Sequence, residues 1–241
     1  MITGSTRLVA LLGHPVAHSL SPRMQNAAFA ARGLDWVYVA LDVQPDRLAE
    51  AVQGLAAGGF AGANVTAPHK VAVLELCDEL DEVAKGAGSV NTLAIENGRI
   101  HGASTDAQAL DGIDARRAVV LGAGGAARAW RAALEKRGAD VAIYSRSGEW
   151  PPRTDGADLI VNATPVVDEV PVEPNRRQAV VDLAYRADGR DTALVAAARA
   201  AGCGTIVDGL EVLVRQGAAS FERWTGVAAP IDVMRAAVRL R

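Results

Sequence analysis

The sequence predicts an α/β protein built from two parallel-sheet units. Short apolar runs that suit strands alternate with helical stretches along the whole chain, and this alternation is typical of sheets covered by helices. In the second half, the run Val119-Val120-Leu121 leads directly into a glycine-rich turn, Gly122 to Ala127, that opens a helix. A chain of 241 residues fits one large domain or two small ones, and we expect the two units to meet near residues 105–115.

The elements of the first half follow from apolar runs and turn residues. Ser21 is expected to cap a helix with Pro22 at its first position, where a proline removes no helical hydrogen bond. Pro68 is expected to open another helix, and Asn97-Gly98 indicates a two-residue hairpin turn. Strands are predicted at residues 8–12, 36–41, 61–65, 89–95 and 99–102, and helices at 22–32, 46–57 and from 68 onward.

The second half continues the same alternation. Residues 147–156, which include Pro151-Pro152, are expected to form a loop. Strands are predicted at residues 117–121, 141–144, 159–161, 179–183 and 205–207, and helices from the glycine turn to 137 and within 192–201, 210–224 and 231–239.

The composition argues against several classes of protein. Half of the residues are apolar and only 4% are aromatic, so we expect a core of mostly Ala, Val and Leu. The net charge is −3 and no long Lys/Arg run occurs, which argues against a nucleic-acid binder. The apolar stretches are too short to cross a membrane, and the first residues lack a signal-peptide layout. Cys77 and Cys203 have no partnering motif, which favours reduced thiols in a cytoplasmic protein.

The glycine turn is typical of a dinucleotide-binding site. Gly122 permits the tight turn after the strand, Gly124 lets the backbone approach a pyrophosphate, and Ala127 is small where helix and strand pack. The N–H groups at the start of the following helix then face the phosphates. A merely tight strand-to-helix turn is the less favoured alternative, because the motif has the flanking strand and helix that binding requires.

The residues after the next strand bear on the choice of cofactor. NAD enzymes usually carry an acidic residue here that binds the ribose 2′-hydroxyl, whereas this chain has Ser145-Arg146-Ser147. A guanidinium flanked by hydroxyls suits a 2′-phosphate, so NADP is favoured over NAD. The alternative is that Arg146 is a solvated loop residue.

Polar residues upstream of the turn indicate a substrate site with a proton-transfer pair. Lys70 and Asp106 are the candidates for that pair, although a plain surface position is also open for Lys70. Ligands in open α/β sheets bind beyond the carboxyl ends of strands, where Asn64, Thr66, Asn91 and Asp106 are expected. A proton-transfer pair upstream of a dinucleotide site suggests a dehydrogenase that acts on a polar small molecule.

Two serines lie beside the start of the first helix. Ser19 and Ser21 could hold a carboxylate through hydroxyl and backbone N–H donors, although the sequence by itself favours a role for Ser21 as N-cap alone. The four histidines lack the spacing of metal ligands, so we predict no metal site.

Taken in order, these motifs resemble the shikimate dehydrogenase family over nearly the whole chain. No single piece is decisive, but the ordered set is highly specific. The matching segments are Gly13-His14-Pro15, Ser19-Leu20-Ser21-Pro22, Asn64-Val65-Thr66-Ala67-Pro68-His69-Lys70, Gly88-Ser89-Val90-Asn91-Thr92, Thr105-Asp106, Gly122 to Ala127, Asp208-Gly209, Gln216 and Trp224-Thr225-Gly226.

The resemblance implies an N-terminal α/β substrate domain and a Rossmann-type dinucleotide-binding domain, with the cleft between them. Residues 1–104 would form the substrate domain, completed by C-terminal helices within 210–241, and residues 105–209 would bind NADP. The activity implied is the reversible NADPH-dependent reduction of 3-dehydroshikimate to shikimate, a step of aromatic amino acid biosynthesis in the cytoplasm. A monomer or a homodimer is expected, with no nucleic-acid or membrane partner.

The resemblance also implies the site residues. Lys70 would act as general acid in reduction, and Asp106 would mainly orient it, although the proton assignment within the pair stays open. Shikimate would contact Ser19, Ser21, Thr66, Lys70, Asn91, Asp106, Tyr185 and Gln216. NADP would contact Gly122, Ala123, Gly124, Gly125, Ala126, Ala127, Ser145, Arg146, Ser147, Asn162, Ala163, Thr164, Leu183 and Gly209.

Two alternative functions stay open. A family member that prefers quinate or an aminoshikimate-type substrate would differ at the Ser19 and Ser21 pocket. A non-catalytic nucleotide-binding sensor is suggested by departures from the family pattern on the cofactor side, among them Glu211 and Arg186. The family's second basic residue in the 2′-phosphate loop is also absent, and Arg153 is its possible substitute.

Overall fold

The computed structural model describes residues 2–239, which contain eleven strands and seven α-helices. The strands are β1 (Arg7–Gly13), β2 (Trp36–Asp42), β3 (Gly62–Val65), β4 (Glu79–Leu80), β5 (Thr92–Glu96), β6 (Arg99–Ala103), β7 (Arg117–Leu121), β8 (Asp140–Tyr144), β9 (Leu159–Asn162), β10 (Ala179–Asp182) and β11 (Ile206–Val207). The helices are α1 (Ser21–Ala31), α2 (Leu48–Ala57), α3 (Glu82–Ala87), α4 (Gly125–Lys136), α5 (Ala193–Ala200), α6 (Gly209–Thr225) and α7 (Ile231–Arg239). Short 3-10 segments lie at Pro45–Arg47, Ala72–Leu76 and Asp106–Leu110.

The first sheet has the strand order β2-β1-β3-β5-β6-β4 and is mixed. β1 pairs in parallel with β2 and β3, but β5 runs antiparallel to both β3 and β6. The expectation of a purely parallel sheet was therefore wrong for this half. The hairpin between β5 and β6 explains the change of direction. Asn97 and Gly98 both have positive φ, 52° and 76°, as the predicted two-residue turn requires.

The second sheet is parallel throughout, with the order β11-β10-β9-β7-β8. Dinucleotide-binding sheets usually have the order 3-2-1-4-5-6, and here β7, β8, β9, β10 and β11 take positions 1, 2, 4, 5 and 6. Within residues 2–239 no strand fills position 3, so β8 is an edge strand. Residues 145–158 connect β8 to β9 without a helix or strand, which agrees with the predicted loop.

Two predicted helix starts were wrong. Ser21 is the first residue of α1 rather than its N-cap; Leu20 holds the cap position, without a side-chain hydrogen bond. No α-helix begins at Pro68. The backbone there folds into turns, because the Lys70 carbonyl accepts a 2.8 Å hydrogen bond from the distant Val90 N–H instead of from a helical neighbour. Only the short 3-10 segment follows.

Helices cover both faces of each sheet. In β1, Val9 and Leu11 face the cluster formed with α1, α6 and α7, whereas Ala10 and Leu12 face α2 and the segment Ala72–Leu76. On the second sheet, α4 and the segment Asp106–Leu110 pack on one face and α5 on the other. The two C-terminal helices therefore return to the first sheet after the chain has completed the second. No helix among the described residues has the length and apolar character needed to span a membrane.

The two halves meet at helix α6 and at the glycine turn. At the start of α6, a Cβ added to Gly209 would lie 2.2 Å from the Ala184 carbonyl oxygen, so this backbone contact requires glycine. A Cβ added to Gly125 would lie 2.8 Å from Cβ of Lys70. The glycine turn of the second sheet is therefore in direct contact with a predicted catalytic residue of the first.

Candidate active site

A cavity of about 680 Å³ lies between the two halves. All eight residues predicted to bind the substrate line it: Ser19, Ser21, Thr66, Lys70, Asn91, Asp106, Tyr185 and Gln216. Seven of the predicted cofactor residues line it as well: Gly124, Gly125, Ala126, Ala163, Thr164, Leu183 and Gly209. His18, which the sequence did not single out as a site residue, also lies on its wall. One continuous cavity therefore joins the predicted substrate and cofactor regions.

Lys70 and Asp106 form an ion pair in this cavity. Lys70 Nζ donates to Asp106 Oδ2 over 2.7 Å, and the two side chains are only 16% and 7% exposed. Asn91 Nδ2 donates to the other carboxylate oxygen, Oδ1, over 2.8 Å. Both oxygens of Asp106 are thereby engaged, so the carboxylate holds the ammonium at a defined position on the cavity wall.

A buried hydrogen-bond network continues behind the pair. Asn91 Oδ1 accepts from the backbone N–H of Thr105 over 2.8 Å. Thr92 and Thr105 each contact the hydroxyl of Ser220, at 2.8 Å and 3.2 Å, and Asn64 Nδ2 donates to that hydroxyl over 2.9 Å. The hydroxyl of Ser220 therefore connects α6 to β3, to β5 and to Thr105, the residue that precedes Asp106.

Ser220 was not predicted as a site residue. Its Oγ donates to the carbonyl of Gln216 over 3.1 Å, one helical turn earlier in α6. The spacing of four residues from Gln216 puts both on one face of a helix, and that spacing was the signal available in the sequence. The side chain of Gln216 itself donates from Nε2 to the Leu213 carbonyl over 2.7 Å.

Ser19, Ser21 and Tyr185 lie together at another part of the wall. The backbone N–H of Ser21 donates to Ser19 Oγ over 3.2 Å, and the N–H of Leu20 donates to the Tyr185 hydroxyl over 3.3 Å. Burial raises the pKa of Tyr185, so its hydroxyl stays protonated at neutral pH. Because the two amides engage the oxygens of Ser19 and Tyr185, the hydroxyl hydrogens of those residues, with that of Ser21, can point to a carboxylate in the cavity.

The glycine turn has the geometry expected of a dinucleotide site. Gly122 has φ 120°, a conformation that requires glycine, and an added Cβ would lie 3.0 Å from the Ala163 carbonyl oxygen. A Cβ added to Gly124 would meet nothing within 4 Å, so a ligand can approach the backbone there. Ala127 is fully buried. The N-terminus of the 12-residue helix α4 follows the turn, and these residues fit a pyrophosphate.

The ends of β9 and β10 are fixed by a buried aspartate. Asp182 accepts hydrogen bonds from Asn162 Nδ2 at 2.9 Å and from Thr192 Oγ1 at 2.5 Å. Burial raises the pKa of Asp182 to about 6 despite these bonds. Asn162 Oδ1 in turn accepts from Thr164 Oγ1 at 2.7 Å. Asn162 therefore supports the cavity wall from behind, and neither Asp182 nor Thr192 was predicted as a site residue.

The predicted 2′-phosphate loop lies away from the lining of the cavity. Ser145, Arg146 and Ser147 follow β8, and the hydroxyls of the two serines are 3.2 Å apart. Arg146 Nη2 donates to Glu169 Oε2 over 3.0 Å, and each of these side chains is 69% exposed. Glu169 belongs to the segment after β9 and was not predicted as a site residue.

Four further predicted cofactor residues do not line the cavity: Gly122, Ala127 and Asn162 are buried, whereas Ala123 is exposed. Gly122, Ala123, Ala127 and Asn162 belong to the turn and to the end of β9. Glu211, the departure that suggested a sensor, does not line the cavity, whereas its neighbour Val212 does. Glu211 accepts from Arg215 and Arg235, and although burial opposes the change, these hydrogen bonds lower its pKa. Its charge is thus neutralised outside the site.

Two family models match the chain. The model described as the shikimate dehydrogenase substrate binding domain matches residues 11–93, and the model described as the shikimate 5′-dehydrogenase C-terminal domain matches residues 209–239. The first covers Lys70 and Asn91, and the second covers α6 with Gln216 and Ser220.

The chain is also similar to proteins of known activity and structure. It is 42% identical to the NADP(+) shikimate dehydrogenase of Methanopyrus kandleri, over 98% of this chain and 96% of that one. The alignment spans 282 positions, so the relative has segments that this 241-residue chain lacks. Shikimate dehydrogenase from Aquifex aeolicus matches with TM-score 0.89 and 33% identity over 100% of both chains. The Thermus thermophilus enzyme in complex with NADP(H) and shikimate matches with TM-score 0.85 and 34% identity, over 97% of this chain and 98% of that one. The chain therefore belongs to the shikimate dehydrogenase family.

Proposed function

We propose that this protein catalyses the reversible NADPH-dependent reduction of 3-dehydroshikimate to shikimate. The observation that carries the proposal is the buried Lys70–Asp106 pair, which lies in one cavity with the glycine turn of a dinucleotide-binding sheet. The relative with 42% identity is named as an NADP(+) shikimate dehydrogenase. The step belongs to the biosynthesis of aromatic amino acids.

The residues of the second sheet fit the cofactor. NADPH, when bound, supplies the hydride that reduces the ketone carbon of the substrate. The turn from Gly122 to Ala127 would hold its pyrophosphate, with Ser145, Arg146 and Ser147 around the 2′-phosphate. Asn162, Ala163, Thr164, Leu183 and Gly209 would flank the remainder, since four of these five line the cavity.

Lys70 would handle the proton. In reduction its ammonium donates a proton to the oxygen that was the ketone, and in oxidation the neutral amine takes that proton from the hydroxyl. Asp106 holds Lys70 Nζ through Oδ2 and can accept a hydrogen bond from the same substrate hydroxyl. Because Asn91 fixes Oδ1, the pair needs little reorganisation before the step.

The other lining residues would fix the orientation of the substrate. Ser19, Ser21 and Tyr185 offer hydroxyl donors to the carboxylate, and Thr66, Asn91 and Gln216 would contact ring hydroxyls. In this arrangement, the carboxylate and the ring hydroxyls of the substrate would contact different walls of the cavity. Binding energy from groups remote from the ketone then serves to align the reacting carbon.

We also propose the domain boundaries. Residues 1–104, together with the C-terminal helices within 210–241, would form the substrate domain, and residues 105–209 the NADP domain; residues 1, 240 and 241 lie outside the described part. The packing of α6 and α7 on the first sheet supports this division.

We further propose a cytoplasmic enzyme that is monomeric or homodimeric. Both cysteines are free, and burial raises the pKa of Cys77 to about 11, which suits a stable reduced thiol.

The assay that tests the proposal crosses two acids with two cofactors. Purified protein is mixed with shikimate or quinate and with NADP or NAD, and the absorbance band of the reduced nicotinamide is followed. Fast reduction with shikimate and NADP is expected. Activity with quinate would overturn the substrate assignment, and its extra hydroxyl beside the carboxylate would implicate the pocket of Ser19 and Ser21. Cofactor binding without turnover would favour the sensor, although such a protein has no use for a buried Lys70–Asp106 pair.

A further inference from the structure

The contact between Arg146 and Glu169 joins two loops that flank the nucleotide turn. The strand order β9-β7-β8 puts the loop after β8 on one side of the Gly122–Ala127 turn and the segment after β9 on the other. Arg146 belongs to the first loop and Glu169 to the second, and their side chains meet at 3.0 Å. The guanidinium assigned to the 2′-phosphate therefore already has an anionic partner within the chain.

We propose that Glu169 is a specificity-determining residue that competes with the 2′-phosphate of NADP for Arg146. The competition weakens NADP binding and leaves NAD binding unchanged, so it narrows the discrimination between the two cofactors. The inference rests on the proposed function, because it takes the second sheet as the dinucleotide site.

The exposure of the pair makes the competition reversible. Both side chains are 69% exposed, and an exposed ion pair contributes little to stability because water and salt screen it. A 2′-phosphate, with close to two negative charges at neutral pH, can displace the carboxylate from Arg146. The 2′-hydroxyl of NAD carries no charge, so NAD does not need the guanidinium of Arg146 and does not compete with Glu169 for it.

The neighbouring acid provides a matched control. Asp168 lies next to Glu169 on the same segment and is 77% exposed, but its carboxylate pairs with Arg186 rather than with Arg146. Asp168→Asn therefore removes the same charge from the same segment without touching the proposed competitor. If loss of a negative charge acts only through the general electrostatic field, both variants should bind NADP more tightly. If Glu169 competes for Arg146, only Glu169→Gln should do so.

The test is titration calorimetry of the full chain with NADP and, separately, with NAD, without any acid substrate. We expect Glu169→Gln to lower the Kd for NADP roughly three- to fivefold, because the 2′-phosphate no longer has to displace a carboxylate from an exposed ion pair. The Kd for NAD should stay within about twofold, and Asp168→Asn should change neither value by more than that. In an Arg146→Ala background, Glu169→Gln should no longer tighten NADP binding, because the guanidinium for which Glu169 and the 2′-phosphate compete is absent.

Three results would overturn the inference. The first is an unchanged Kd for NADP in Glu169→Gln. The second is that Asp168→Asn lowers the Kd for NADP as much as Glu169→Gln does. The third is that Glu169→Gln still lowers the Kd for NADP in the Arg146→Ala background. Wild-type protein that binds neither dinucleotide would refute the proposed function itself and the inference with it. Wild-type protein that binds NADP while Glu169→Gln changes nothing would refute the inference alone.

Discussion

The two ends of the proposed site are built in different ways. At the proton-transfer end, Lys70 and Asp106 are 16% and 7% exposed, and each carboxylate oxygen of Asp106 accepts a hydrogen bond. At the 2′-phosphate end, Arg146 is 69% exposed and its ion pair is with an equally exposed Glu169. The first end is fixed before any ligand arrives, whereas the second can exchange partners.

This difference follows from the work each end does. Proton transfer depends on donor position within a fraction of an ångström, and a buried network of Asn91, Thr105 and Ser220 supplies that rigidity. Recognition of a phosphate needs charge at the correct place, and a flexible guanidinium on the surface is sufficient. Removing Lys70 should therefore be severe, whereas removing Glu169 should cost little stability and leave Arg146 free for the phosphate.

The largest effect is expected for Lys70→Ala. Loss of the proton donor should lower kcat about 10²- to 10⁴-fold, while the Kd for NADP changes little. Steady-state kinetics and calorimetry on the same preparation measure both. Lys85→Ala is the control, because Lys85 is an exposed lysine in an ion pair with Glu82 and should keep full activity. Near-normal kcat in Lys70→Ala would refute the acid/base assignment.

A smaller effect, confined to one cofactor, is expected for Arg146→Ala. Loss of a charge-assisted contact to the 2′-phosphate should raise the Kd for NADP roughly 10- to 100-fold and the Kd for NAD by less than about twofold. The comparison variant is Arg131→Ala on α4, whose exposed guanidinium pairs with Glu135 within the same helix. Equal losses for both cofactors would show that Arg146 serves the fold rather than the phosphate.

The smallest effect is expected for Ser220→Ala. Loss of the hydroxyl leaves Asn64, Thr92 and Thr105 with one buried partner fewer, which should cost about 1–3 kcal/mol of stability and reduce kcat several-fold. Urea unfolding and kinetics measure the two effects. Thr225→Ala is the matched control, since Thr225 Oγ1 makes the same hydrogen bond to a carbonyl four residues earlier in α6, at 2.8 Å. An equal loss of kcat in both variants would show that Ser220 stabilises the fold and does not position the Lys70–Asp106 pair.

The sequence predicted the parts of the site that depend on local pattern. The glycine turn, Lys70, Asp106 and Arg146 all stand in short motifs whose chemistry can be read from neighbouring residues. The strand–helix alternation and the Asn97-Gly98 turn are local in the same sense, and the structure confirmed them, apart from the mixed first sheet.

The missed features depend on residues far apart in the chain. Pro68 opens no α-helix because Val90, more than twenty positions later, takes the Lys70 carbonyl. Ser220 meets Asn64 across 156 positions. Glu169 meets Arg146 only because β8 and β9 lie on either side of β7. Ser220 had one local signal, its four-residue spacing from Gln216, but the neighbouring sequence identifies the partner in none of these three pairings.

The return of α6 to the first sheet has a consequence for how the protein is made. The ribosome releases the first sheet early, but α6 and α7, which help to cover one of its faces, are synthesised only after the whole second sheet. Until then, Val9, Leu11 and Tyr38 lack the part of their apolar cover that α6 and α7 supply, and Asn64 lacks the hydroxyl of Ser220. The second sheet, complete by Val207, can fold during translation. The half proposed to bind NADP can therefore fold first, whereas the proposed catalytic site is complete only after α6 has been synthesised.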